Sequence, residues 1–230
     1  MVNTIIVVNV GMYILSIILN PKAAGLSPNP LTFLSPSGSN LELLGATGLV
    51  PIGHYHRYWT LISASYLHGG ILHIFFNMIA LRQLAFVASR EFGLYRMFAI
   101  YTLSGVFGFW ISYLFGVLWT IGASASLCGL VGAILYYGKS RGGVYGKALY
   151  KQISIWVVCL FIFGFVVPGI NNWAHGGGII AGIGFGFLLG YQEKRRENLF
   201  HKMLAGTCAL VTLLVLVWAV SSTVFYKMMG

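Results

Sequence analysis

Three short runs of this sequence set proton-moving or nucleophilic side chains among apolar residues. The first reads Leu67-His68-Gly69-Gly70-Ile71-Leu72-His73-Ile74-Phe75-Phe76-Asn77. On a helix His73 and Asn77 are i and i+4, so they share one face. The second is Gly122-Ala123-Ser124-Ala125-Ser126, and the third is Ala174-His175-Gly176-Gly177-Gly178. A hydroxyl becomes a nucleophile when a base takes its proton, and histidine is the usual base near neutral pH. A Ser-His-Asp triad is excluded, because the chain contains no aspartate. Its four acids are Glu42, Glu91, Glu193 and Glu197, and none falls within an expected apolar span. A serine nucleophile here must therefore work with histidine alone, as a dyad. A serine near a helix N-terminus also turns its backbone N–H toward a developing oxyanion. His73 and Asn77 are candidates for further donors.

Each run also has a plain structural reading. Serines at helix starts commonly cap or bond their own backbone. A histidine in a membrane helix commonly bonds a neighbouring helix. Gly178, Gly182 and Gly186 recur every four residues, the small-xxx-small pattern of closely packed membrane helices. What these readings leave unexplained is why three polar clusters from three segments should share one depth.

The elements that must position them are membrane helices. Of the 230 residues 58% are apolar and 8% are charged, whereas a soluble chain carries about 25% charged residues. Apolar stretches near the ~20 residues needed to cross a bilayer recur along the whole chain. Seven are expected, over about 2–19, 71–88, 94–117, 123–137, 153–167, 173–189 and 203–225. This predicts an all-α polytopic membrane protein with a single domain over 1–230. Core helices occupy about 2–191 and an extra seventh helix about 203–225. The first stretch has no basic residue before it and no small-residue cleavage site after it, so it is read as a spanning helix. Residues 20–58 form a long loop rich in Pro, Ser and Gly, and its Phe33, Leu34, Leu43 and Leu44 are expected in the membrane interface. Cys128, Cys159 and Cys208 fall inside apolar stretches and are expected as small buried side chains rather than a disulfide framework.

The formal net charge of +10 does not indicate nucleic acid, because the basic residues lie between apolar stretches rather than in one patch. Arg82, Arg90 and Arg96 surround the second connection, Lys139, Arg141, Lys147 and Lys151 the fourth, and Lys194, Arg195, Arg196 and Lys202 the sixth. Lys22, Arg57 and Lys227 lie on the other side. Basic loops face the cytoplasm. The N-terminus is therefore expected inside, the C-terminus outside, and all three polar clusters toward the outer leaflet. Arg82 is expected about a turn inside the membrane, snorkelling to the interface. With no transit peptide evident, a bacterial plasma membrane is the expected location.

The three clusters resemble the rhomboid intramembrane proteases, and the resemblance covers nearly the whole chain. His68, His73 and Asn77 match the family's H-x4-H-x3-N signature on its second helix. Gly122-Ala123-Ser124 matches the start of its G-x-S-G nucleophile motif on the fourth, and Ala174-His175 with Gly177, Gly178 and Gly182 matches its A-H-x-G-G pattern on the sixth. The resemblance implies a six-helix bundle plus one helix, with Ser124 as nucleophile and His175 as general base. It also implies an oxyanion hole of the Ser124 N–H, His73 and Asn77. His68, Gly122, Gly178 and Gly182 would be structural near the site. Transmembrane proteins would be the substrates, in contact with membrane lipid and with no nucleic acid, metal or cofactor. The segments before Gly122 and Trp173 would be lids. Three positions depart from the pattern: Ala125 follows the nucleophile in place of glycine, Cys128 replaces a common aromatic, and Trp59-Thr60 stands for Trp-Arg. Ala125 is expected to add a methyl where substrate backbone approaches. Two other functions fit parts of the pattern. One is an inactive rhomboid-like protein that binds membrane proteins without cutting them. The other is an intramembrane metal or haem protein using His68, His73 and His175.

Overall fold

The computed structural model describes residues 1–21, 24–26 and 33–229. Lys22, counted above on the less basic side, lies outside the described residues. Helix α1 spans Val2–Ile18. The loop after it carries a short antiparallel ribbon, β1 Gly25–Leu26 with β2 Phe33–Ser35. A short helix α2, Gly38–Leu43, follows, capped by the Ser37 hydroxyl. A π-helical turn over Val50–His54, helix α3 Thr60–Ser63 and a 3₁₀ turn over Ala64–Tyr66 complete the loop. The long helices are α4 Ile71–Phe92, α5 Leu94–Leu114, α6 Ser124–Arg141, α7 Gly143–Val166, α8 Asn172–Leu189 and α9 Leu199–Met229.

The chain is an all-α polytopic membrane protein. By length and composition α4, α5, α7 and α9 are apolar enough to cross a membrane, and α1 is a shorter apolar helix. Helices α6 and α8 have 18 residues each and are rich in glycine. Glycine and polar residues dilute their hydropathy, which is tolerable because the two pack on each other and on α5 at the centre of the bundle. Helix α7 is the opposite case: among its residues only Gly146, Leu149 and Ile153 are buried, so it lies at the periphery.

Several boundaries differ from the apolar runs. Helix α7 begins ten residues earlier than its apolar run, so Lys147 and Lys151 lie in its first turns rather than in a connection. Its start is set by Gly142 and Gly143, whose φ values of 66° and 63° break the chain direction after α6. Helix α4 runs on to Phe92, which has two consequences. Arg82 lies exposed near the middle of α4, deeper than the single turn expected. Glu91, expected in a connection, sits buried in the last turn of α4, where it accepts from Tyr145 Oη at 2.8 Å and pairs with Arg90 at 3.5 Å. That carboxylate is 14 residues from Asn77 along α4, about 21 Å at 1.5 Å per residue. Glu91 therefore lies far along the helix from the site residue Asn77.

The basic end of the bundle is tied by Arg96, which is fully buried in the first turn of α5. Its guanidinium donates to the carbonyls of Leu189, Gly190 and Arg195 and to Gln192 Oε1, at 2.6–3.3 Å. The Glu197 carboxylate in turn accepts from the backbone N–H groups of Tyr95 and Arg96, at 2.8 and 2.9 Å. An anion at a helix N-terminus is favoured by the unpaired N–H groups and the dipole there. The α8–α9 connection is thereby fixed to the α4–α5 turn.

Candidate active site

Helices α4, α6 and α8 all begin at the same end of the bundle, and each carries its polar cluster within its first two turns. Ser124 is the first residue of α6, and its backbone N–H is one of the helix's unpaired donors. His175 is the fourth residue of α8. Across the two helices His175 Nε2 stands 2.9 Å from Ser124 Oγ, within hydrogen-bond reach. The imidazole is 5% exposed, and its Nδ1 has no partner among the described residues. Ser124 itself is half-buried, so the hydroxyl remains reachable.

Glycine makes that approach possible. A Cβ on Gly178 would fall on the Ala125 carbonyl, and one on Gly182 would fall on the Gly129 carbonyl. In the other direction, a Cβ on Gly132 would meet the backbone of Ile179. The two parallel helices thus touch backbone to backbone along a small-residue seam, which in lipid supplies packing that hydrophobicity cannot. Ser126, the neighbouring hydroxyl, points away from α8 toward the first loop and α5, 3.5 Å from Ser65 Oγ. That follows from its position about 200° around the helix from Ser124.

His73 reaches the same place from α4. Its Nδ1 accepts the Gly69 N–H at 3.3 Å, so in the neutral ring the proton is on Nε2, a donor. Gly122 has a φ of 122°, and a Cβ there would lie 2.7 Å from His73 Nε2 and 3.7 Å from Ser124 Oγ. A side chain at Gly122 would therefore press on the His73 ring beside the serine. Asn77 is buried on the same face of α4, with one amide N–H donated to the His73 carbonyl at 2.8 Å and the other unassigned. His68 does not reach the cluster directly. It is fully buried, lies edge-on to His73 with ring centroids 5.0 Å apart, and neither of its nitrogens has a partner among the described residues. No group of three His, Cys, Asp or Glu with metal-holding geometry occurs among the described residues.

Two departures from the family pattern acquire a location. Ala125 is fully buried, packed among Ile52, Leu61, Ala64, Phe109 and Ala174. Its methyl is buried facing Gly108 of α5. Cys128 packs against Gly178, one turn below Ser124, where a larger ring would press on α8.

The sequence reading missed three polar residues at the mouth. Asn171 caps α8, its Oδ1 accepting the Ala174 N–H at 3.0 Å. Its Nδ2 donates to Ser112 Oγ at 2.6 Å and Thr120 Oγ1 at 3.0 Å. Asparagine before an apolar helix is a readable cap signal, but nothing in the sequence pairs it with Ser112 or Thr120. Nearby, the rings of Phe115 and Trp173 stack at 3.6 Å between the end of α5 and the start of α8.

A family model described as Rhomboid domain matches residues 55–192, more than half of the chain. RHOMBOID-like protein 1 of Arabidopsis thaliana is 30% identical over 223 residues, covering 86% of this chain and 56% of its own length. Inactive RHOMBOID-like protein 8 of the same plant is 31% identical over 179 residues, covering 75% of this chain and 49% of its own. Rhomboid protease GluP of Bacillus subtilis (strain 168) is 31% identical over 187 residues, covering 79% of this chain and 36% of its own. The chain spans about half the length of the first curated relatives it matches.

Proposed function

The chain belongs to the rhomboid family, and on that premise we propose that it is a serine endopeptidase cutting transmembrane proteins with a Ser124–His175 dyad. The observation that carries the proposal is the 2.9 Å approach of His175 Nε2 to Ser124 Oγ, in a chain without aspartate. Ser124 Oγ attacks the scissile carbonyl while His175 Nε2 takes its proton. The tetrahedral intermediate directs its oxyanion at the Ser124 N–H, His73 Nε2–H and the free Asn77 N–H. His175 then returns the proton to the leaving amine, and water hydrolyses the acyl-serine by the same steps reversed. The convergence of His73 Nε2 and Ser124 Oγ on the face of Gly122 supports the oxyanion assignment. Donors held in place before the charge develops are the strongest source of such catalysis. His68, Gly122, Gly178 and Gly182 shape the site without touching the reacting atoms.

The chain acts as one domain, its seventh helix α9 packed on α5. It sits in a bacterial plasma membrane with the N-terminus in the cytoplasm and the C-terminus outside, an orientation supported by the basic residues gathered where α4, α6 and α8 end. The second reading, a rhomboid-like protein that binds without cutting, draws on the relative named inactive and on His175 Nδ1, which has no partner among the described residues. A fluorophosphonate probe separates the two. Labelling of the wild type that is lost in Ser124→Ala, with cleavage of a transmembrane reporter in vesicles, is the expected result. An unlabelled wild type that still captures the reporter would establish the binding reading instead.

A further inference from the structure

The segment carrying Ser124 and the helix carrying His175 are anchored differently. Thr120 exchanges backbone hydrogen bonds with Thr47 at 2.7 and 3.0 Å, and the Gly122 N–H donates to the Ala64 carbonyl at 2.9 Å. The serine segment is thus fastened to the first loop by its backbone. Helix α8 begins after the Pro168-Gly169 turn, and at its mouth the polar tie across to that segment is the Asn171 side chain. Thr120 is four residues before Ser124, and Asn171 is four residues before His175. The hydrogen bond between Asn171 Nδ2 and Thr120 Oγ1 therefore joins the two chain segments four residues upstream of each reactive residue.

The Asn171 amide is held without freedom to flip. Its Oδ1 is committed to the Ala174 N–H, so both amide hydrogens must go to the hydroxyls of Ser112 and Thr120. Its backbone carbonyl accepts the His175 N–H at 3.1 Å, so the tie reaches the histidine's own peptide. The glycine seam sets how closely α6 and α8 approach, and the Asn171 tie adds a fixed point along their axes at the site end. His175 Nδ1 has no partner among the described residues, so no third group aims the ring. We propose that Asn171 and Thr120 form a positioning pair that fixes the axial register of α8 against Ser124 and so holds the Ser–His hydrogen bond. The inference rests on the reading of Ser124 and His175 as the dyad.

Four variants test it in full-length protein reconstituted in vesicles. Thr120→Val keeps the shape and the backbone bridge but removes the acceptor hydroxyl. Thr120→Ser keeps the hydroxyl. Asn171→Ser keeps a helix-capping oxygen but is too short to reach Thr120. Thr120→Val and Asn171→Ser should each lower kcat about 10-fold, as expected for a sub-ångström misalignment, with KM changed less than about 2-fold. Fluorophosphonate labelling of Ser124 should slow by the same factor. Thr120→Ser should restore near wild-type kcat, and the double variant should be no worse than Asn171→Ser alone, because Asn171→Ser already removes the bond to Thr120 together with that to Ser112. Wild-type kcat in folded Thr120→Val, equal loss in Thr120→Ser, or multiplying effects in the double variant would each overturn the pair while leaving the dyad intact. A wild type that neither labels nor cleaves would withdraw the dyad and the pair together.

Discussion

The two ends of the bundle differ in how far their polar groups are paired. At the basic end, four acceptors converge on the Arg96 terminal nitrogens, leaving its buried Nε without a partner among the described residues, and two helix-end N–H groups converge on Glu197. At the site end, His175 Nδ1 and both nitrogens of His68 are buried without partners among the described residues, and the Ser124 N–H is left by the helix start. Burying unpaired polar groups costs about 1–3 kcal/mol each. A membrane protein tolerates that where a substrate, water or a transition state supplies the missing partner. The difference teaches that rigidity and reactivity are separated along the helix axes. One end fixes the helices, and the other leaves donors free to act.

The sharpest way to break this comparison is to remove the reactive groups. Ser124→Ala and His175→Ala should each abolish cleavage while the thermal unfolding midpoint stays within a few degrees of wild type. Cleavage by either folded variant would remove the site from this end of the bundle.

Next in size, His73→Ala and Asn77→Ala should lower kcat by up to about 10²–10³, the usual loss for one oxyanion donor, with little change in KM. Sharing of the charge among three donors would bring the loss toward the lower figure. A raised KM at unchanged kcat would instead assign these side chains to binding.

Gly182→Val tests the seam that links the two ends. The new Cβ would land on the Gly129 carbonyl, and a displacement of about 1 Å can lower the rate about 10²-fold. Activity and thermal stability should fall together, since the same contact serves both. Full activity in the folded variant would show that the seam does not set the Ser–His distance.

Arg96→Leu should do the reverse of the site variants. It strands carbonyls that Arg96 now satisfies, at about 1–3 kcal/mol for each that stays buried and unpaired. The unfolding midpoint should drop markedly, while kcat per folded molecule stays within about 2-fold. A large loss of kcat at unchanged stability would tie the basic end to catalysis. The smallest effect belongs to Ser126→Ala, which should retain most activity, because that hydroxyl faces Ser65 and α5 rather than His175.

The sequence by itself determined the membrane class, the order of the long helices and the identity of the polar clusters. Those properties are local: apolar length, i to i+4 spacing and short motifs depend on neighbours in the chain. The small residues of α6 and α8 were legible in the same way, since Gly178 and Gly182 continue the face that carries His175. Helix ends were less legible. The start of α7 follows a glycine pair rather than hydropathy, and α4 carries Glu91 three residues past its last apolar-run position. The first loop, with its π-helical turn and its bridge from Thr47 to Thr120, gave no periodic signal at all. Only the tertiary structure decided that Ala125 points into the core, that Arg96 is buried, and that Asn171 reaches Ser112 and Thr120. Each of those outcomes is a distance between residues far apart in sequence. Such distances are set by how whole helices pack, and no residue's own propensity contains them.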